Sequence, residues 1–275
     1  MHMIDFEYAD KRLSDFNFII CHINTDGGVS NVSIGSDITF NTIKNTNSSI
    51  HKVTSSSYES VYTTTPFEII KDPCKNKYTQ EKMYMNDFEI REIVKWLNRR
   101  DYHKFKPLGG VGQYTDVCYY GSFNVEQITL NGETIGLSLT FTSNAPYGFS
   151  EEILEYEITK ANDMFYVDID SDEIGTIYPK ATITCKQDGN FKIKNNLSGN
   201  QMVINNCKNG EVITIDGENK LISSSLSSHS TLFNDFNYTW IDLVSNDEEA
   251  INSYTISIPC TIEIKYSSVR KVAVT

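Results

Sequence analysis

A chain of 275 residues with a formal charge of −12 is long enough for two cores or one large all-β domain, and its acidity argues against nucleic acid or an anionic membrane as a general partner. The charge is uneven: residues 1–144 hold 14 Lys/Arg against 17 Asp/Glu, a balance of −3, whereas residues 145–275 hold 10 against 19, a balance of −9. A composition rich in Ser, Thr, Asn, Tyr, Phe and Ile suits β-sheets better than helical bundles.

Residues 1–40 read as strands: FEYADKRLSDFNFIICHI, a turn at Asp26-Gly27-Gly28, then VSNVSIGSDITF. The acidic start MHMIDFEYADKR has no apolar signal core, and the run from Phe16 to Ile23 is too short to span a bilayer. The expectation is a protein made in the cytoplasm that stays soluble. Residues 41–57 are small and polar, as in a long hairpin excursion or a flexible loop. YESVYTTTPFEIIKD resumes a strand. One helix is expected over 87–99. Asn86 or Asp87 supplies the N-cap, and Glu89 stands three residues after Asn86 as a capping-box partner. Ile90, Ile93, Val94 and Leu97 then form one apolar stripe, and Trp96 lies off it, facing a second surface. After a loop with Pro107 and Gly109-Gly110-Val111-Gly112, YYGSFNVEQITLNGETIGLSLTFTS reads as a hairpin turning at Asn131-Gly132.

Beyond Pro146 the character changes. Residues 151–173 hold nine acidic side chains and one lysine, marking a boundary between domains 1–148 and 149–275. From Ile177 to Asp216, apolar residues fall at every second position: Ala181, Ile183 and Cys185, then Phe191 and Ile193, then Ile213 and Ile215. Asp188-Gly189, Ser198-Gly199-Asn200, Asn209-Gly210 and Asp216-Gly217 interrupt them with residues that tolerate tight turns. The pattern predicts an antiparallel meander facing a second sheet. LISSSLSSHSTLFND (221–235) reads as a mobile Ser-rich loop, and NYTWIDLVSNDEEAINSYTISIP and CTIEIKYSSVRKVAV as closing strands.

The residues that carry chemistry form no constellation. Cys21, Cys74, Cys118, Cys185, Cys207 and Cys260 are far apart without CxxC spacing, as small apolar core residues would be in a reducing compartment. His2, His22, His51, His103 and His229 are scattered. Asp168, Asp170 and Asp172 alternate as in a calcium loop, but Glu173 and Pro179 stand where that loop needs Gly and a bidentate Glu. A solvated acidic strand or linker accounts for them better. No nucleophile elbow or P-loop is present. The expectation is no catalytic site, no metal and no cofactor. Lys95, Arg99, Arg100, Lys104 and Lys106, opposed only by Asp101, form a basic cluster. A solvated helix end would produce it, and so would a subunit contact with acidic surface on a neighbouring copy. Trp240 is the single tryptophan of the second half. It is a core residue or, in a sugar-binding module, a glycan contact.

Several segments taken together resemble the distal tail protein (Dit) family of long-tailed bacteriophages. They are EIREIVKWLN (89–98), DVCYYGSFNVEQI (116–128), FTSNAPYGF (141–149), GTIYPKATITCKQDGNFKIKNNLSGNQMVINNCKNGEVITID (175–216), TWIDL (239–243) and IEIKYSSVRKV (262–272). The resemblance implies a mainly β protein. An N-terminal β-sandwich with one helix would form a ring, and a C-terminal galectin-like β-sandwich would project outward. It implies a virion structural protein at the distal end of the tail, assembled in the bacterial host. That protein would be a homo-hexamer joining the tail tube protein to the tail-tip hub, with a receptor-binding protein as a further candidate partner. The second domain lacks a long insertion, so the arm that holds receptor-binding proteins in some relatives is expected to be absent. A carbohydrate-binding module contacting the host surface is the alternative reading.

Overall fold

A computed structural model describes residues 3–21, 37–47, 49–58, 61–64, 66–75, 83–109, 116–246 and 250–272. The turn expected at Asp26-Gly27-Gly28, the Gly110-Val111-Gly112 segment, His2 and His22 lie outside the described residues. The chain is mainly β and divides into two compact units, Met1–Phe149 with Arg270–Thr275, and Ser150–Val269.

The first unit contains β1 (Met3–Tyr8), β2 (Lys11–Arg12), a 3-10 turn (Leu13–Phe16), β3 (Phe18–Cys21), β4 (Ile38–Ile43), β5 (Lys52–Tyr58), β6 (Phe67–Lys71), α1 (Asp87–Leu97), β7 (His103–Gly109), β8 (Val117–Leu130) and β9 (Glu133–Ser143). All but β4 and β5 join one antiparallel sheet, in the order β2-β1-β7-β8-β9-β6-β3. Asn131 (φ 53°) and Gly132 (φ 89°) turn the β8–β9 hairpin where sequence placed it. Ala9 (φ 48°) and Asp10 (φ 62°) make an equally tight β1–β2 turn, which sequence did not signal because alanine rarely takes that conformation.

Helix α1 starts as its caps require. Glu89 N–H donates to Asn86 Oδ1 at 3.0 Å, and Asn86 N–H donates back to Glu89 Oε2 at 2.9 Å. The Lys71 ammonium, almost buried at the end of β6, reaches the same Glu89 carboxylate at 2.8 Å and the Tyr84 carbonyl at 2.8 Å. The start of the helix is thereby tied to the sheet. Ile90, Ile93 and Leu97 are buried, but Val94 is only half-buried and Trp96 is 3% exposed. Trp96 stacks between Phe6 (5.6 Å) and Phe16 (4.5 Å), and its indole N–H donates to the Tyr8 carbonyl at 2.8 Å. The second surface it faces is therefore β1 and the 3-10 turn. Phe105, Phe123 and Phe141 extend this aromatic core, with Phe105–Phe141 centroids 4.5 Å apart. A side chain at Gly121 would meet the Thr142 carbonyl and the Phe141 ring, so only glycine fits the crossing.

The second unit contains β10 (Gly148–Ile158), β11 (Asp163–Ile169), β12 (Gly175–Ile177), β13 (Lys180–Cys185), β14 (Gly189–Asn195), β15 (Gln201–Cys207), β16 (Val212–Asp216), β17 (Leu221–Ser224), a single helical turn α2 (Leu232–Asp235), β18 (Leu243–Ser245), β19 (Ala250–Ile256) and β20 (Cys260–Arg270). One run of paired strands is β17-β16-β13-β20, another β11-β19-β14-β15, and β12 pairs with β18. Both runs send alternate side chains into one core, among them Ile183, Ile213 and Ile262 from the first and Val167, Phe191, Ile204 and Ile256 from the second.

The expected meander is corrected here. Only Ser198–Asn200 and the turn after Asp216 close hairpins, β14–β15 and β16–β17. Asp188-Gly189 and Asn209-Gly210 carry the chain between the two runs of strands, since β13 pairs with β16 and β20 instead of β14. Turn chemistry reverses the chain without specifying which strand it returns to. The stretch 221–235 is also no mobile loop: Leu221–Ser224 is strand β17, and His229 and Leu232 are buried. The acidic stretch 151–173 is largely strand, with Phe165, Val167 and Ile169 inward and Asp168 on the exposed side of β11. Cys118, Cys185, Cys207 and Cys260 are buried as expected, whereas Cys74 is exposed.

Candidate interaction surfaces

Three surfaces and one buried cluster are built from groups able to recognise something. The first surface is the β4–β5 ribbon. It pairs only with itself among the described residues, and every residue of β4 is exposed. Ile38, Phe40, Ile43, Ile50 and Val53 all stand in solvent, Ile50 at 70% exposure. An isolated two-stranded ribbon is marginal in water, and so many large apolar groups on one excursion call for a cover. Its base is anchored by Tyr58, whose ring lies 5.8 Å from Tyr147 and takes the Lys271 ammonium at 5.6 Å. Sequence identified a hairpin or loop here. That so many apolar side chains would be displayed was hidden because Ser, Thr and Asn outnumber them in the segment.

The second surface is the basic cluster, which the fold divides. Lys95 and Arg99 line a shallow depression with Lys11, Phe16, Glu92 and Trp96. Arg99 Nε–H donates to the Trp96 carbonyl at 3.2 Å, and Ser122 Oγ–H donates to the Arg99 carbonyl at 2.7 Å, holding that end of the helix on β8. Arg100 follows the helix and is exposed. Lys104 and Lys106 flank the buried Phe105 on β7, and so lie on its outer side. Lys106 stands opposite Glu7, which also reaches Arg12 at 3.7 Å. Asp101 is engaged by His103 at 3.0 Å, and Glu92 is the acid that the fold adds to the depression.

The third surface surrounds Trp240. Its indole is half-buried against the core of the second unit and lies 5.1 Å from Phe236, edge to face. Lys220 Nζ sits 3.2 Å from the Tyr178 ring centre and 5.4 Å from that of Trp240. Exposed Tyr238 continues the row, 5.4 Å from Phe236.

The buried cluster joins residues distant in sequence. His229 Nδ1 lies 2.6 Å from Glu211 Oε1 and its Nε2 3.4 Å from Asp235 Oδ2. Ser224 Oγ–H donates to Glu211 Oε1 at 2.6 Å and the Lys208 N–H to Oε2 at 2.8 Å. Asn206 and Thr231 hold Asp235 at 2.8 and 2.7 Å. Burial opposes a charged imidazole, but the hydrogen bond and charge of Glu211, helped by Cys207 and Asp235, outweigh it and raise the His229 pKa. Burial likewise opposes the Glu211 carboxylate, yet hydrogen bonds from Ser224, His229 and the Lys208 backbone lower its pKa. No spacing in sequence announces this cluster, because the fold alone brings residues 211, 229 and 235 together. The Ser224 hydroxyl is turned to the carboxylate and not to the imidazole, so the group is an ion network and not an activated nucleophile. Among the described residues, no group of His, Cys, Asp and Glu is arranged to hold a metal ion, and no helix is long and apolar enough to cross a membrane.

Residues 1–145 match a family model described as phage tail protein N-terminal domain, and residues 147–266 match one described as phage tail C-terminal domain. The SPbeta prophage-derived protein YomH of Bacillus subtilis strain 168 is 24% identical over 249 residues, which span 89% of this chain and 90% of YomH. The crystal structure of SPP1 Dit (gp 19.1), described as a paradigm of the hub adsorption apparatus in phages infecting Gram-positive hosts, superposes with a TM-score of 0.63. The match covers 96% of this chain and 98% of that one at 11% identity. The fold is thus that of a distal tail protein, as the sequence resemblance implied, and the chain belongs to the family of phage tail proteins built from these N-terminal and C-terminal domains.

Proposed function

We propose that this tail protein is the subunit of a closed hexameric ring at the distal end of the tail, joining the tail tube to the tip or receptor-binding apparatus, and that it catalyses no reaction. In this reading residues 1–148 form the ring and residues 149–275 a galectin-like module. The observation that carries the proposal is the β4–β5 ribbon. Its exposed Ile38, Phe40, Ile43, Ile50 and Val53 have the character of a surface completed by another subunit. A ring contact is heterologous, so the ribbon of one copy would meet a different surface of the next, and obligate contacts of this kind bury on the order of 2,000 Å² or more. Lys95, Arg99, Arg100, Lys104 and Lys106 would set orientation against the acidic surface of a neighbour.

Mass photometry and negative-stain imaging of the full chain, alone and with the tube and tip proteins, test this. The expected result is a six-fold annulus that Phe40→Asp with Val53→Asp converts to monomers of unchanged circular dichroism. A monomer that persists at high concentration, with and without those partners, rejects the reading.

A further inference from the structure

We infer that the surface formed by Tyr178, Lys220, Tyr238 and Trp240 in the second unit binds a saccharide that carries an anionic group. The inference concerns the second unit alone and stands independently of ring formation. It begins with backbone conformation. Among the described residues of this unit, four non-glycine residues have positive φ. Asn162 and Asn206 are of the type that tolerates it, whereas Lys220 (φ 57°) and Tyr238 (φ 57°) are not. Both belong to the aromatic surface. A long cation and a bulky ring kept in a conformation better suited to Asn or Gly point to a use for the side chain itself.

Each is displayed from a loop fixed by its own hydrogen bonds. In the turn before Lys220, Asn219 N–H and Nδ2 donate to the two oxygens of Asp216 at 2.9 and 3.0 Å, and Gly217 N–H donates to the Pro179 carbonyl at 3.0 Å. A side chain at Gly217 would strike the Tyr178–Pro179 backbone, so the turn lies directly on the segment that presents Tyr178. Around Tyr238, Asn237 is pinned to β15: its Oδ1 accepts from Val203 N–H at 3.0 Å, and its Nδ2 donates to the Gln201 carbonyl at 2.9 Å. The loops that carry the rings are therefore already held in place. Tyr178 is 41% and Tyr238 65% exposed, and Trp240 is half-buried.

Aromatic faces so presented accept the C–H face of a sugar ring, while nearby polar groups take its hydroxyls. The cation selects the charge. Lys220 rests on Tyr178 and Trp240 and has no carboxylate within ion-pair distance among the described residues. Asp216 of the same turn is occupied by Lys180 at 3.3 Å and by Asn219, and Glu218 makes no ion pair with Lys220. Desolvation, with no counter-charge to offset it, lowers the Lys220 pKa. A phosphate or carboxylate on the sugar would supply one.

The test is calorimetric titration of the full chain with glucose 6-phosphate, glucuronate, glucose and inorganic phosphate, checked by tryptophan fluorescence. Saturable binding is expected for the charged sugars, about tenfold tighter than for glucose or for phosphate alone. A response to glucose 6-phosphate only assigns the anion as phosphate, and a response to both charged sugars assigns charge alone as the requirement. Lys220→Gln should abolish the preference for charged over neutral sugar. Tyr238→Asn, which suits the left-handed backbone, should weaken every sugar about tenfold with circular dichroism unchanged. No saturable binding to any sugar, binding of phosphate as tight as of sugar phosphate, or a charge preference that survives Lys220→Gln would each overturn the assignment.

Discussion

His229 shows how a single residue makes this protein sensitive to pH. Its imidazole faces Glu211 at 2.6 Å and Asp235 at 3.4 Å, with Cys207 also close enough to favour its charge. Because the folded pKa is raised, the stabilisation is fully present below the ordinary histidine value of about 6.5 and is lost as pH rises through the folded pKa. Glu211 works in the opposite sense. Its folded pKa is lowered, so its contribution is present above the ordinary value of about 4.3 and is lost as pH falls through the lower, folded pKa. Thermal unfolding of wild type and His229→Asn across the pH range should therefore differ most between about pH 4.5 and 6.5, and the gap should narrow at alkaline pH. A gap of constant size from about pH 5 to about pH 9 would mean that folding leaves the imidazole pKa unchanged. Removing the Glu211 carboxylate would instead leave a buried cation with one weaker partner, a change that costs more than the bond itself contributes.

At the scale of an element, α1 owes its position to a few anchors rather than to helix propensity. An eleven-residue helix is marginal alone. Its start is held by the Asn86–Glu89 box and Lys71, and its other end by the Asn98 amide on the Phe123 carbonyl at 2.8 Å. Trp96 carries the packing energy between them. Denaturant midpoints should show Trp96→Ala losing about 3–5 kcal/mol, and Asn86→Ala losing about 1 kcal/mol. Equal losses would mean that capping, and not the stacked Phe6 and Phe16 rings, places the helix. The second unit has a comparable device in Asn252. Its side chain donates to the Val244 carbonyl at 2.9 Å and accepts from Val244 N–H at 2.8 Å, doing for that segment what a neighbouring strand would do. Asn195 joins it at 3.0 Å and also reaches the Asp242 carbonyl, so the buried amides satisfy one another.

For the whole molecule, the question is which surface holds copies together. Exposed charge pairs contribute little each and are screened by salt, whereas apolar burial is not. The basic residues near α1 and the β4–β5 ribbon should therefore leave different signatures in a ring. Lys95→Glu with Arg99→Glu is expected to slow assembly and to remove its salt dependence while preformed rings persist. The Phe40→Asp and Val53→Asp pair is expected to prevent rings at every salt concentration. Assembly rates followed by light scattering from about 50 to 500 mM salt separate the two. A reversal, with charge changes dissolving rings and ribbon changes harmless, would move the main contact to the helix end.

Local regularities were legible in the chain itself. The Asn86–Glu89 cap, the Asn131-Gly132 hairpin and the alternation of Ile183, Ile213 and Phe191 are short-range patterns. Backbone geometry ties such patterns to one outcome within a few residues. The order of six matching segments was enough to suggest the tail protein family. Partner choice was not legible. That β13 lies between β16 and β20, that Lys71 reaches Glu89, and that residues 211, 229 and 235 share one buried network all depend on contacts between residues far apart in the chain. Turn residues state only that the chain reverses, and a charged residue states only that it needs a partner or water. Where the chain returns, and which partner is waiting, is decided when the whole core closes and every buried polar group must be satisfied at once.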